Sequence, residues 1–142
     1  MSELKELAAE AKHELLTHII PFWRGMRDDK FGGYYGYLSY DLALDEKAEK
    51  GCILNSRITW FFANAYLLYK DGGISEEECE AAGFRGEDLL TEAKHGYEFL
   101  RDHCIDKKYG GIFWSLNYDG TPLDTTTVSY THLRAHETLS DL

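Results

Sequence analysis

The chain has 142 residues, with fifteen basic against twenty-five acidic side chains and a net charge of −10. Its length suits one domain with its own core and is short for two; ten Tyr, seven Phe and three Trp make it an aromatic-rich soluble globular composition. The acidic balance argues against nucleic acid and anionic membrane as partners, which need a basic surface, and is silent about a neutral ligand.

The N-terminus, MSELKELAAEAKHELL, is charged and amphipathic, without the apolar stretch of a secretory signal. No run approaches the length of a membrane span. Leu4, Leu7, Ala8, Ala11, Leu15, Ile19 and Phe22 recur at helical spacing and predict a helix over residues 2–22, which Pro21 kinks or stops. The stretch 51–69, GCILNSRITWFFANAYLLY, predicts a second helix with Leu54, Ile58, Phe61, Phe62, Ala65, Leu68 and Tyr69 on one broad face. Trp60 and Phe61 read as core there, and Trp23 and Tyr40 as packing residues. Arg57 lies one residue from the apolar face, and an always-charged guanidinium is costly to bury unless something anionic or strongly polar meets it. On periodicity alone the simpler reading is a structural arginine bonded to loop carbonyls. In DGGISEEECEAAGFRG, Ser75 and Glu78 form a capping box, which predicts a short acidic helix in a surface insertion. Leu89, Leu90, Ala93, Tyr97, Leu100 and Cys104 are in phase for a third helix over 87–104. Cys52, Cys79 and Cys104 are odd in number, widely spaced and outside any CxxC pair, so they read as reduced, cytosolic packing thiols.

Two stretches align without a gap at an offset of 78 residues: DDKFGGYYGYLSYD (28–41) and DKKYGGIFWSLNYD (106–119). Each follows a predicted helix and carries Asp, Lys, an aromatic, Gly-Gly, an alternating run and Tyr-Asp. Gly-Gly supplies positive-φ turn geometry, and the alternation after it suits a short strand or hairpin. Helix, Gly-Gly hairpin, helix is therefore a repeated unit, of the kind that buries its faces against neighbouring units. The chain holds one such unit and the first half of a second, fewer than an array needs to close a core. With so few neighbours, Phe61, Phe62, Leu68 and Tyr69 cannot all be covered.

These residues carry a resemblance. LLTHIIPFWRGMRDDKFGGYYGYLSYDL, KAEKGCILNSRITWFFANAY, AKHGYEFLRDHCIDKKYGGIFW and DGTPLDT resemble the cellobiose 2-epimerases of the N-acylglucosamine 2-epimerase superfamily, over about residues 10–125 apart from the acidic insertion. The resemblance implies an all-α fold: the N-terminal part of an (α/α)6 barrel of helical hairpins, whose Gly-Gly β-hairpin loops rim a sugar-binding mouth. It implies a cytoplasmic enzyme that acts on a small-molecule carbohydrate and needs no cofactor. The helix holding Arg57 would be an inner helix of that barrel. Residues 1–126 are then the epimerase fragment. From residue 127 the pattern is lost, and 127–142 reads as a spurious tail. His132 and His136, four apart, could share a metal on a helix, but no third ligand or Glu pattern accompanies them.

Inverting the carbon beside a masked aldehyde requires ring opening, proton removal at C2 and reprotonation from the other face. The enediolate needs acid/base groups on both faces and a cation near the developing oxyanion. By resemblance the acid/base pair is two histidines from later parts of the barrel; His13, His18, His95 and His103 read as surface or boundary residues. Arg57 matches the family's S-R-I-x-W arginine, which faces the C1–C2 end of the sugar, and the resemblance assigns it the oxyanion. Sugars stack their C–H faces on aromatic rings, so Tyr37, Phe113 and Trp114 of the loops are candidate sugar contacts. Asn55, where relatives carry His, is a further candidate. Two other functions fit the same scaffold. A glycoside hydrolase would need a carboxylate pair, drawn from Asp28, Asp29, Asp106 or Asp119, and a non-catalytic carbohydrate-binding fragment would need neither.

Overall fold

The computed structural model describes residues 2–128, with side chains through residue 125. The first helix begins as α1 (Ser2–Glu14), widens into a π turn over Leu15–Ile19 and resumes as α2 (Ile20–Gly25). Of the two outcomes expected at Pro21, the stop does not occur: the helix runs past residue 22 to Gly25. Proline has no N–H and its ring crowds the carbonyl four residues back. The wider turn absorbs this, with the Ile20 N–H donating to the Leu15 carbonyl five residues away.

Strand β1 (Lys50–Gly51) leads directly into α3 (Cys52–Lys70), for which Gly51 is the N-cap. The short helix α4 (Glu76–Ala81) has the expected capping box, Ser75 and Glu78 exchanging hydrogen bonds of 3.1 Å. It is not the surface insertion expected from its charge. Ile74, Cys79 and Phe84 are buried in the main core, because the acidic residues face out while the apolar ones plug the far end of the helix pair. Helix α5 (Gly86–Phe99) follows and closes in a second π turn, Leu100–Cys104. A hairpin of β2 (Ile112–Leu116) and β3 (Pro122–Val128) completes a three-stranded antiparallel sheet of order β1-β2-β3.

Helices α3 and α5 are the packed pair at the centre. They approach closely: a Cβ on Gly96 would lie 2.1 Å from Thr59 Oγ1. The main core gathers Ile58, Phe62, Ala65, Leu89 and Ala93 from this pair, with Leu16, Ile20 and Tyr34 from the first unit. A smaller cluster of Cys52, Phe99, Leu100, Cys104, Ile112 and Leu116 lies under the hairpin end. All three cysteines are buried free thiols, and burial pushes the Cys79 thiol up to about 11.

As expected, both Gly-Gly loops lie at the same end of the helices: Phe31 of the first meets Tyr118 of the second edge to face, 5.5 Å apart. The stripe of the first helix is another matter. Leu4, Leu7, Ile19 and Phe22 are exposed, and Leu16 and Ile20 are the residues it buries. On α3, Phe62 is buried, Phe61 and Tyr69 are half-buried, and Leu68 is exposed. Trp60 is also exposed rather than core, and Tyr40 is fully exposed rather than a packing residue.

Candidate functional site

The first Gly-Gly loop fixes the ground on which the site is built. Its Asp28 accepts backbone N–H bonds from Lys30 at 2.9 Å and Phe31 at 3.1 Å, and the Asp28 N–H donates to the Gly33 carbonyl at 3.0 Å. Gly32 and Gly33 supply φ of 88° and 67°. Lys50, fully buried, donates to Asp28 Oδ2 at 2.6 Å and to the Gly32 carbonyl at 2.7 Å. Its ammonium also lies 5.3 Å from the centroid of the Phe99 ring. Burial pushes the Asp28 carboxyl up, but the Lys50 ammonium and the two backbone donors outweigh it and hold it below the usual aspartate value. His95 Nε2 lies 2.8 Å from the Gly33 carbonyl, so this histidine ties α5 to the loop. Behind the loop, Tyr34 donates its hydroxyl to Glu92 Oε2 at 3.0 Å, and Arg27 reaches Glu92 Oε1 at 2.9 Å. Burial and the neighbouring Glu92 carboxylate keep the Tyr34 phenol strongly raised and neutral.

Lys50 immediately precedes Gly51, so the clamp sets where α3 starts and where its second turn points. β1 pairs with β2 through Lys50↔Leu116 and Gly51↔Ser115. That register carries Trp114 alongside the start of α3. Between them opens a cleft of ≈ 480 Å³ lined by Gly36, Glu49, Leu54, Arg57, Trp114 and Ser115, with Ile53 and Gly51 in its wall. Arg57 is exposed to it while its neighbours Ser56 and Ile58 are buried. Among the described residues Arg57 forms no ion pair. Trp114 is 52% exposed, an aromatic face open to the same space. Ser115, itself buried, donates its hydroxyl to Glu49 Oε2 at 3.2 Å and fixes that carboxylate at the rim. The cleft thus offers a guanidinium, a carboxylate and an indole over an apolar wall, the mixture that suits a polyhydroxylated ring.

Of the five expected site residues, Arg57 and Trp114 are brought together in this cleft. Asn55 is not there. It is fully buried behind the loop, its Oδ1 accepting the Tyr34 N–H at 2.9 Å and its Nδ2 donating to the Gly51 carbonyl at 3.0 Å. It stands two residues before Arg57, which puts it on the opposite side of the helix, and both ends of its amide are occupied. Phe113 is half-buried against the cluster of Cys52, Phe99 and Ile112 and is not among the residues that line the cleft. Tyr37 is exposed in the first hairpin, outside the residues lining the cleft. Gly36, Glu49 and Ser115 were not expected. Gly36 is where the fold leaves no room for a Cβ, which would fall against the Glu49 carbonyl. Glu49 and Ser115 carry none, because their meeting depends on the β1–β2 register.

Among the described residues no group of three or more His, Cys, Asp or Glu side chains is arranged to hold a metal. His132 and His136 lie outside the described residues.

No protein-family model matches the chain. It is 47% identical over 124 residues to the cellobiose 2-epimerase of Ruminococcus albus, covering 87% of this chain and 28% of that protein. Against the cellobiose 2-epimerase of Eubacterium cellulosolvens it is 47% identical over 127 residues, 89% of this chain and 28% of that protein. Among solved structures it resembles a sugar epimerase from a ruminal bacterium, with a TM-score of 0.77 and 46% identity over 94% of this chain and 31% of that one. It also resembles the cellobiose 2-epimerase of Bacillus thermoamylovorans, with a TM-score of 0.72 and 37% identity over 84% of this chain and 27% of that one. The chain therefore spans 28% of the length of these two curated relatives, and across most of its own length it is a homologue of the cellobiose 2-epimerases.

Proposed function

We propose that this chain is part of a sugar 2-epimerase that interconverts glucose and mannose at the reducing end of β-1,4-linked disaccharides such as cellobiose. The observation that carries the reading is Arg57: it opens on a cleft beside an exposed tryptophan, within a stretch shared with proteins named cellobiose 2-epimerase. The reaction opens the sugar ring, removes the C2 proton to leave an enediolate and returns a proton to the opposite face. Arg57 donates to the oxygen on which negative charge builds, and its forked donors suit that oxygen better than a point charge would. Trp114 stacks against a sugar ring. The acid/base pair is supplied from outside this chain, so the isolated chain is expected to be inactive. In this reading α3 is an inner helix of an (α/α)6 barrel. Its uncovered Trp60 and Leu68, with Leu4 and Leu7 of α1, await neighbouring helices. Residues 1–126 form the epimerase segment and 127–142 a spurious tail; of that tail only Thr127 and Val128, which end β3, lie within the described residues.

The hydrolase reading is disfavoured by how the aspartates are employed. Asp28 and Asp106 accept backbone N–H bonds inside their loops, Asp29 is held by Arg27 at 2.6 Å, and Asp119 accepts from Thr121. None faces another carboxylate across the cleft lined by Arg57.

The test is a chimera in which residues 2–125 replace the matched segment of the Ruminococcus albus relative. It should exchange the C2 proton of cellobiose with solvent deuterium and form the mannose-containing epimer. Arg57→Ala in that chimera should lower turnover on the order of 10²-fold or more, and Arg57→Lys should recover only part. Unchanged kinetics in Arg57→Ala would make Arg57 a structural residue.

A further inference from the structure

The repeat is closer in three dimensions than in sequence. Bridges Arg27↔Tyr34 and Ile105↔Ile112 coincide under the shift of 78, as do Leu38↔Leu44 and the pair Leu116↔Pro122. So do the turn bonds: Ser39 N–H to the Ala43 carbonyl at 3.0 Å, and Asn117 N–H to the Thr121 carbonyl at 2.7 Å. Lys30 lies over Phe31 at 5.1 Å and Lys108 over Tyr109 at 5.0 Å, so the aromatic before each Gly-Gly is set alike.

Within the chain the two units join at one aromatic seam. Phe31, before Gly-Gly in the first unit, meets Tyr118, from the Tyr-Asp turn of the second, at 5.5 Å and 84°. The same shift converts Phe31 into Tyr109 and Tyr118 into Tyr40. Those two rings are bare, at 79% and 105% exposure. Among the described residues neither ring meets another, so each offers one half of such a seam, and the chain spans only 28% of the length of the Ruminococcus albus relative.

We infer that Tyr109 and Tyr40 are docking points for further helix–Gly-Gly–hairpin units in the remainder of a longer epimerase chain. Tyr109 receives the Tyr-Asp turn tyrosine of a following unit, and Tyr40 packs on the pre-Gly-Gly aromatic of a preceding one. The inference rests on the array reading proposed above, and it adds which residues make each junction. Edge-to-face pairs stabilise beyond the area they bury, so the seam orients one loop against the next around the mouth.

The experiment compares the chain alone with the chimera on the Ruminococcus albus relative. In the isolated chain, Tyr40→Ala and Tyr109→Ala should leave the melting temperature unchanged, whereas Tyr118→Ala lowers it. In the chimera, each of the three should lower Tm by about 2 °C or more, and Tyr40→Phe and Tyr109→Phe should restore it. No shift for Tyr40→Ala and Tyr109→Ala in a folded chimera overturns the inference, and so does a chimera that does not fold. Self-association of the isolated chain that both substitutions abolish, with no shift in the chimera, also overturns it and makes a second copy the occupant. The Tm shifts without epimerase activity would keep the seam and remove the proposed function; activity without the shifts would do the reverse.

Discussion

Asp28 and Asp106 each accept N–H bonds from the residues two and three further along, at 2.9 and 3.1 Å in both loops, but only Asp28 meets a lysine. Around the first loop, Lys50, Asn55 and His95 converge from three other stretches of chain. Around the second, no ion pair reaches Asp106 among the described residues. The shift of 78 from Lys50 falls on Val128, which carries no charge. Two loops with one backbone design are thus held in different ways. The comparison separates what short-range sequence does from what tertiary contact adds. The Asp, the Gly-Gly pair and the intervening N–H groups suffice for the turn. The clamp is what buries it, and with it the start of α3 and the placing of Arg57.

The largest expected effect comes from Lys50→Met, which leaves the Asp28 carboxylate buried without its counter-charge. It should cost about 3–5 kcal/mol, read from the urea midpoint. Asp106→Asn, which keeps an acceptor for the loop N–H groups, should cost about 1 kcal/mol or less. Equal losses would break the comparison.

Next is glycine packing. An alanine Cβ at Gly33 would lie 2.7 Å from Asn55 Oδ1 and 2.8 Å from the Phe99 ring, at φ +67°. Gly33→Ala should therefore cost about 2–4 kcal/mol through overpacking plus backbone strain. At Gly110, φ is +80° and nothing lies within 4 Å. Gly110→Ala should cost only the strain, about 1–2 kcal/mol.

Acid should act through the first loop. Asp28 is held below its ordinary value in the folded chain, so on acidification the unfolded chain binds that proton first. The stabilisation is fully present above about pH 4 and is lost as pH falls below it, with a slope of up to about 1.4 kcal/mol per pH unit. The double variant Asp28→Asn, Lys50→Met should lose this part of the acid dependence of the urea midpoint.

The smallest effect sharpens the hairpin comparison. Leu42 is the one non-glycine with positive φ among the described residues, at 65°, and its counterpart is Gly120 at 90°. Leu42→Gly should stabilise by up to about 1 kcal/mol, the relief of strain exceeding glycine's entropic cost. Thermal melting reads it.

Much of this was legible in the sequence. The gapless match of 28–41 with 106–119 forecast the loops and their common end, and Ser75 with Glu78 forecast the cap of α4. Local chemistry dictates those features. The stop offered at Pro21 does not occur, because a π turn, which leaves no periodic signature, lets the first helix run on to Gly25. Its stripe of Leu4, Leu7, Ile19 and Phe22 has the right spacing but lacks a partner surface among the described residues. Arg57 and Trp114, which line one cleft, were legible as candidates through the family pattern. Asn55 was misplaced because it stands two residues before Arg57 on a helix, which turns it to the loop rather than the cleft. The Lys50 clamp was invisible, since a lysine before a glycine looks like solvent-facing chain until Asp28 is folded over it.

Amide hydrogen exchange at the matched positions tests the clamp most directly. The N–H groups of Lys30 and Phe31 and those of Lys108 and Tyr109 make the same bonds to their aspartates. The clamp predicts exchange at least about tenfold slower for the first pair, falling to the rate of the second pair in Lys50→Met. Equal rates in the unaltered chain, or protection of Lys30 and Phe31 that survives Lys50→Met, would contradict it.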